Sequence, residues 1–111
     1  MKLAVIGTGY VGLVSGACFS EFGFDVTCID KDADKIDRIK SGNMPIYEPG
    51  LEQLVARNVE AGRLHFTTET ATAVADADAV FIAVGTPTRR GDGHADLTYV
   101  YDAARELAAH I

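Results

Sequence analysis

A chain of 111 residues, 48% of them apolar, forms one domain at most and can bury a core without disulfides; this composition argues against disorder. Ten basic residues against sixteen acidic give a net charge of −6. No basic stripe runs through the sequence, so neither nucleic acid nor an acidic membrane surface is expected as a partner.

Lys2 to Ile6 reads as a strand buried on both faces. "GTGYVG" follows, and Tyr10 to Phe22 reads as a helix ended by Gly23. The uncharged stretch from Leu3 to Phe19 resembles a leader only superficially. Gly7, Gly9, Gly12 and Gly16 break it, and it is too short and glycine-rich for a membrane span. The chain is therefore expected to be cytoplasmic. Asp25 to Ile29 is a second strand, and Ala33 to Lys40 a helix stopped near Ser41-Gly42. The loop "GNMPIYEPG" is held by Pro45 and Pro49. Leu51 to Ala61 predicts a helix with Leu51, Leu54, Val55 and Val59 on one face. Leu64 to Thr67 is a short strand and Thr70 to Ala75 a weak helix. "AVFIAV", Ala79 to Val84, predicts a fourth strand, buried by its hydrophobicity. A polar loop from Gly85 to Ala95 ends at Asp96, the expected N-cap. The last helix places Leu97, Val100, Tyr101, Ala104, Leu107, Ala108 and Ile111 on one face.

Strands alternating with helices form βαβ units, which force parallel strands covered on both faces. Right-handed crossovers then lead to an α/β, doubly wound parallel sheet. It is of the dinucleotide-binding type, in strand order 3-2-1-4, and incomplete after the fourth strand and its helix. In that order the apolar fourth strand is an edge.

Three glycines within six positions need a reason, since each costs about 0.5–1 kcal/mol inside an element. Gly7 sits where the first strand turns into the helix. Gly9, without a side chain, lets a diphosphate approach the backbone. Gly12 allows close packing of helix on strand, and Gly16 continues that small face. The helix N-terminus, with the amides of Tyr10 and Val11, suits a pyrophosphate. Asp30, eighteen residues beyond Gly12 at the end of the second strand, can accept hydrogen bonds from both adenosine ribose hydroxyls. It would repel a 2′-phosphate, which favours NAD over NADP; Lys31 and Lys35 weaken that preference. The bland alternative is a tight turn with no ligand, and the context of strand, turn, helix and second strand weighs against it. Cys18 and Cys28 lack metal-ligand spacing and read as small hydrophobes. His65, His94 and His110 are dispersed, so no metal site is expected.

The stretches "GTGYVG", "IDKDADKI", "GNMPIYEPGL" and "VGTPTRRGDGHADLTYV" together resemble the N-terminal part of the UDP-glucose/GDP-mannose dehydrogenases. The likeness runs along the whole chain in order, and "GTPT", Gly85 to Thr88, points to the UDP-glucose branch. The resemblance implies oxidation of the C6 hydroxymethyl of a nucleotide sugar to a carboxylate, with two NAD and a cysteine thiol that holds the aldehyde as a thiohemiacetal. By position, Val11, Asp30, Lys35 and Thr86 match the family's cofactor contacts. The intact enzyme is expected to bind a nucleotide sugar and to be a homo-oligomer. The family's catalytic cysteine belongs to a later motif that neither Cys18 nor Cys28 matches. Residues 1–111 are thus expected to be an incomplete NAD-binding domain, without catalytic residues and inactive alone. Glu48 in "YEPG" reads as a loop carboxylate held by turn geometry. Other readings of the same residues are a GDP-mannose or UDP-amino-sugar enzyme, a non-catalytic NAD module such as a redox sensor, and a flavin-binding domain.

Overall fold

The computed structural model describes residues 1–87, 91 and 93–110. Thr88 of the "GTPT" stretch and Ile111 of the predicted last helix lie outside the described residues. Among the described residues, four strands form one parallel sheet: β1 (Lys2–Ile6), β2 (Asp25–Ile29), β3 (Leu64–Thr67) and β4 (Ala79–Ile82). Their order is β3-β2-β1-β4, as the sequence predicts. Leu3 of β1 stands beside Val26 of β2 on one side and Ala79 of β4 on the other. Val26 in turn stands beside Leu64 of β3.

Side chains alternate across the sheet and feed two cores. Val5, Val26, Cys28 and Leu64 point to one face. It is covered by α1 (Tyr10–Glu21), α2 (Ala33–Lys40) and α3 (Leu51–Glu60). Ala4 and Ile29 point to the other face. There α4 (Thr70–Ala75) and α5 (Thr98–Ala108) supply Val74 and Leu107. Both faces are covered, so the sheet is doubly wound. No described helix is long and apolar enough to cross a membrane.

Three expectations are corrected. On α3 the buried positions are Leu51, Val55 and Asn58, whereas Val59 is 46% exposed. The sequence hides this because an asparagine looks like a surface residue. The Asn58 amide donates to Glu21 Oε2 (2.8 Å) and to the Leu54 carbonyl (2.9 Å). Its Oδ1 accepts from Arg63 Nη2 (2.8 Å). Fully bonded, the group can be buried at little cost.

On α5 the face is rotated by about one residue. Val100, Ala103, Glu106 and Leu107 turn inward, while Leu97, Tyr101, Ala104 and Ala108 are exposed. Ala103 is buried and Leu107 packs against the core, and beside them the Glu106 carboxylate is hydrogen-bonded by Thr70 and pairs with Lys31 Nζ at 3.3 Å. The helix also starts later than expected. Leu97 occupies the cap position, and Asp96 Oδ1 accepts from the Thr98 N–H (2.9 Å) and Oγ1 (2.6 Å).

The fourth strand is shorter than predicted and is not buried. Phe81 and Ile82 are 43% and 36% exposed, because β4 pairs with β1 on one side alone among the described residues. Phe81 is sheltered in part by the Phe19 ring of α1, with centroids 5.2 Å apart.

Candidate cofactor site

The carboxyl ends of β1, β2 and β4 meet at one rim of the sheet, and the glycine turn lies there. Gly7 has φ 107°, its N–H donates to the Ile29 carbonyl (2.7 Å), and a Cβ would stand 2.6 Å from the Ala83 carbonyl oxygen. Its left-handed backbone and the chain leaving β4 both require glycine. A Cβ on Gly12 would collide with the Gly7 carbonyl. A Cβ on Gly12 would also stand 3.4 Å from Ala83 Cβ, so Gly12 lets the helix approach the ends of β1 and β4, and Gly16 continues the close packing against Cys28 of β2.

Gly9 is different. Its φ is −75°, which any residue adopts, and a Cβ there would meet nothing within 4 Å. The fold does not need a glycine at this position. The space that the missing side chain leaves lies over the start of α1, where the N–H groups of Tyr10, Val11 and Gly12 have no acceptor within the helix. The helix has no side-chain cap and no acidic residue in its first turn. Such an end attracts an anion. Tyr10 and Val11 are 55% and 63% exposed beside it, and the Tyr10 hydroxyl donates to Glu48 Oε2 (3.3 Å). That bond gives the "YEPG" carboxylate a place: it ties the loop before α3 to the first turn of α1.

Asp30 stands at the end of β2 with its side chain 16% exposed. Its Oδ2 accepts from the Thr8 N–H (3.1 Å) and Oγ1 (2.7 Å), and Lys35 Nζ lies 3.6 Å away. Its Oδ1 accepts from the Asp32 N–H (3.0 Å). Burial alone would raise this carboxyl. The bonds from Asp32 and Thr8 and the Lys35 ammonium outweigh it and hold the group below its usual value.

Gly7, Gly9, Tyr10, Val11, Gly12, Asp30 and Lys35 thus lie together at the carboxyl-end rim of the sheet, Gly7 and Gly12 buried and Tyr10 and Val11 exposed. Thr86 stands exposed on the loop after β4, three residues beyond the carbonyl that lies over Gly7. Two hollows elsewhere, one beside His65 and Thr72 and one between α1 and α3, include none of these residues. Thr8 is the residue the sequence reading missed. Its sequence signal was a hydroxyl between two glycines, one strand away from an acid.

All 111 residues match the family model described as the UDP-glucose/GDP-mannose dehydrogenase family, NAD binding domain. The chain belongs to this family. As its NAD binding domain, the chain takes NAD as cofactor. It is 66% identical over its full length to a UDP-glucose 6-dehydrogenase of Rhizobium meliloti and 54% identical to one of Bacillus subtilis, covering 25% of each. Among solved structures it resembles a GDP-mannose dehydrogenase from Pseudomonas aeruginosa, at 43% identity and TM-score 0.91. A UDP-glucose dehydrogenase from Pyrobaculum islandicum is similar at 45% and 0.89. Each of these two alignments covers 96% of this chain and 24% of the other. The chain therefore spans about a quarter of the length of the relatives it matches.

Proposed function

We propose that residues 1–111 are the NAD-binding portion of a UDP-glucose 6-dehydrogenase that oxidises UDP-glucose to UDP-glucuronate with two NAD. The observation that carries the reading is Gly9, a glycine that neither its backbone angle nor its neighbours require, beneath an uncapped helix end. The names of the full-length relatives supply the substrate.

In this reading the amides of Tyr10, Val11 and Gly12 hold the pyrophosphate. Asp30 accepts from the adenosine ribose, with Lys35 beside it. Val11 and Thr86 contact the dinucleotide from the helix and from the loop after β4. Bound NAD supplies the hydride acceptor. The thiol nucleophile and the sugar site belong to the rest of the enzyme, and residues 1–111 alone are inactive. Cys28 cannot serve as that thiol: it is fully buried, and burial pushes it up to about 12, where no reactive thiolate forms near neutrality.

The test is a substrate panel with the full-length protein. UDP-glucose should yield two NADH per sugar, and GDP-mannose and UDP-N-acetyl-mannosamine should yield none above a blank. Turnover of either competitor in preference to UDP-glucose would overturn the assignment of substrate.

A further inference from the structure

Thr8 is fully buried, so no ligand touches it. Its side chain is nevertheless spent on one task. The hydroxyl and the amide of this single residue both donate to Asp30 Oδ2, at 2.7 and 3.1 Å. These two donors fill both lone pairs of Oδ2, and the Lys35 ammonium pairs with the same oxygen at 3.6 Å. Oδ1 accepts from the Asp32 amide alone and keeps one lone pair.

We propose that Thr8 is a positioning residue that sets the preference for NAD over NADP: it locks the Asp30 carboxylate with Oδ2 turned inward and Oδ1 turned to the ribose. The proposal rests on the reading of Asp30 as the ribose acceptor and adds how that acceptor is held.

The chemistry follows from counting donors. A carboxylate accepts about four hydrogen bonds. Two hydrogen-bond donors and an ammonium converge on one oxygen, so the ribose meets the other, and it meets one oxygen rather than a fork. The lock also governs Lys35. While Oδ2 stays fixed, its charge occupies the ammonium. Without the Thr8 hydroxyl the carboxylate can turn, NAD loses its aligned acceptor, and Lys35 is released beside the place where a 2′-phosphate would sit. NAD binding falls while NADP binding holds or rises.

A purely structural role predicts something else. If Thr8 only supported the glycine turn, its loss would weaken the pyrophosphate site, which both cofactors share. The two affinities would then fall together and their ratio would stay constant.

The experiment titrates the full-length protein with NAD and with NADP in the absence of sugar, for wild type, Thr8→Val, Thr8→Ser and Asp30→Asn. Thr8→Val removes the hydroxyl at nearly constant volume. It should weaken NAD about tenfold, the scale of one hydrogen bond to a charged group. The NAD/NADP ratio should narrow by at least as much, and Thr8→Ser should restore it. Should valine prevent folding, Thr8→Ala carries the same readout. An unchanged ratio in a folded Thr8→Val or Thr8→Ala protein, whether or not the affinities drop, overturns the proposal. Asp30→Asn separates the two layers: wild-type NAD affinity there would overturn the ribose reading itself. NAD loss in Asp30→Asn with an unchanged ratio in Thr8→Val would overturn the role of Thr8 alone.

Discussion

The α-carbon of Gly16 faces the sulfur of Cys28: a methyl group added to Gly16 would stand 2.5 Å from Cys28 Sγ. Helix α1 lies on β2 at a distance that this pair sets. Gly16→Ala should therefore destabilise the fold by about 1–3 kcal/mol, the usual cost of an overpacked core. Combining it with Cys28→Ala should cost less than the sum of the single changes, since the second makes the room that the first needs. Urea unfolding of the four proteins measures the coupling, and strict additivity would refute the contact.

Gly9 makes the opposite prediction. Its side-chain space is open and its backbone ordinary. Gly9→Ala should change stability by no more than about 1 kcal/mol, the scale of a changed N-cap. It should nevertheless weaken NAD by an order of magnitude or more, because a Cβ there occupies the space a diphosphate needs. Gly12→Ala should fail on stability first, since its Cβ meets the Gly7 carbonyl. Calorimetry on both variants decides. A Gly9→Ala protein that binds NAD as wild type does would remove the central support for the proposed site.

The contrast between these glycines shows where sequence reasoning succeeds. A motif in the right context located the turn, the helix end and the acid, because strand, turn and helix are local and periodic. The motif also divided the glycines between turn, packing and diphosphate, but which atoms each one meets was not legible. That depends on what lies opposite each α-carbon, and the neighbours of Gly7 and Gly16 come from the chain leaving β4 and from β2. Asn58 and Thr8 were missed for a related reason. Both are polar residues buried by partners distant in the chain, Glu21 for one and Asp30 for the other. The phase of α5 was misread because a charged residue, Glu106, faces inward to Thr70 and Lys31, against the rule that charges mark the outer face.

Asp30 gives an acid-side prediction. Its carboxyl is held below the usual value in the folded chain. A depressed carboxyl contributes stability that is complete above its unfolded value, about 3.9, and is lost as pH falls through the folded value. The stability gap between wild type and Asp30→Asn should be flat from about pH 6 to 8 and should close on acidification below about pH 4. Denaturant titrations at several pH values measure it. A gap that stays constant down to the folded value would show that the bonds from Thr8 and Asp32 do not favour the ionised form.

Cys28 gives the matching prediction on the alkaline side. Burial among apolar neighbours pushes its thiol up to about 12. An unfolded cysteine titrates near 8.5. Between these values the folded chain keeps a proton that the unfolded chain gives up, so stability falls as pH rises, by at most about 1.4 kcal/mol per pH unit. Removing the thiol removes this dependence. The stability of wild type should drop more steeply than that of Cys28→Ala between about pH 8.5 and 10.5, whatever lysines and tyrosines add to both. The same burial blocks alkylation. At pH 8 iodoacetamide should label Cys18, which is half-buried, and leave Cys28 unmodified until denaturant is added. Mass spectrometry of the peptides reads the labelling. Parallel alkaline slopes for the two proteins, or rapid labelling of Cys28 in the native state, would mean that α1 lifts off β2 far more readily than the Gly16–Cys28 contact allows.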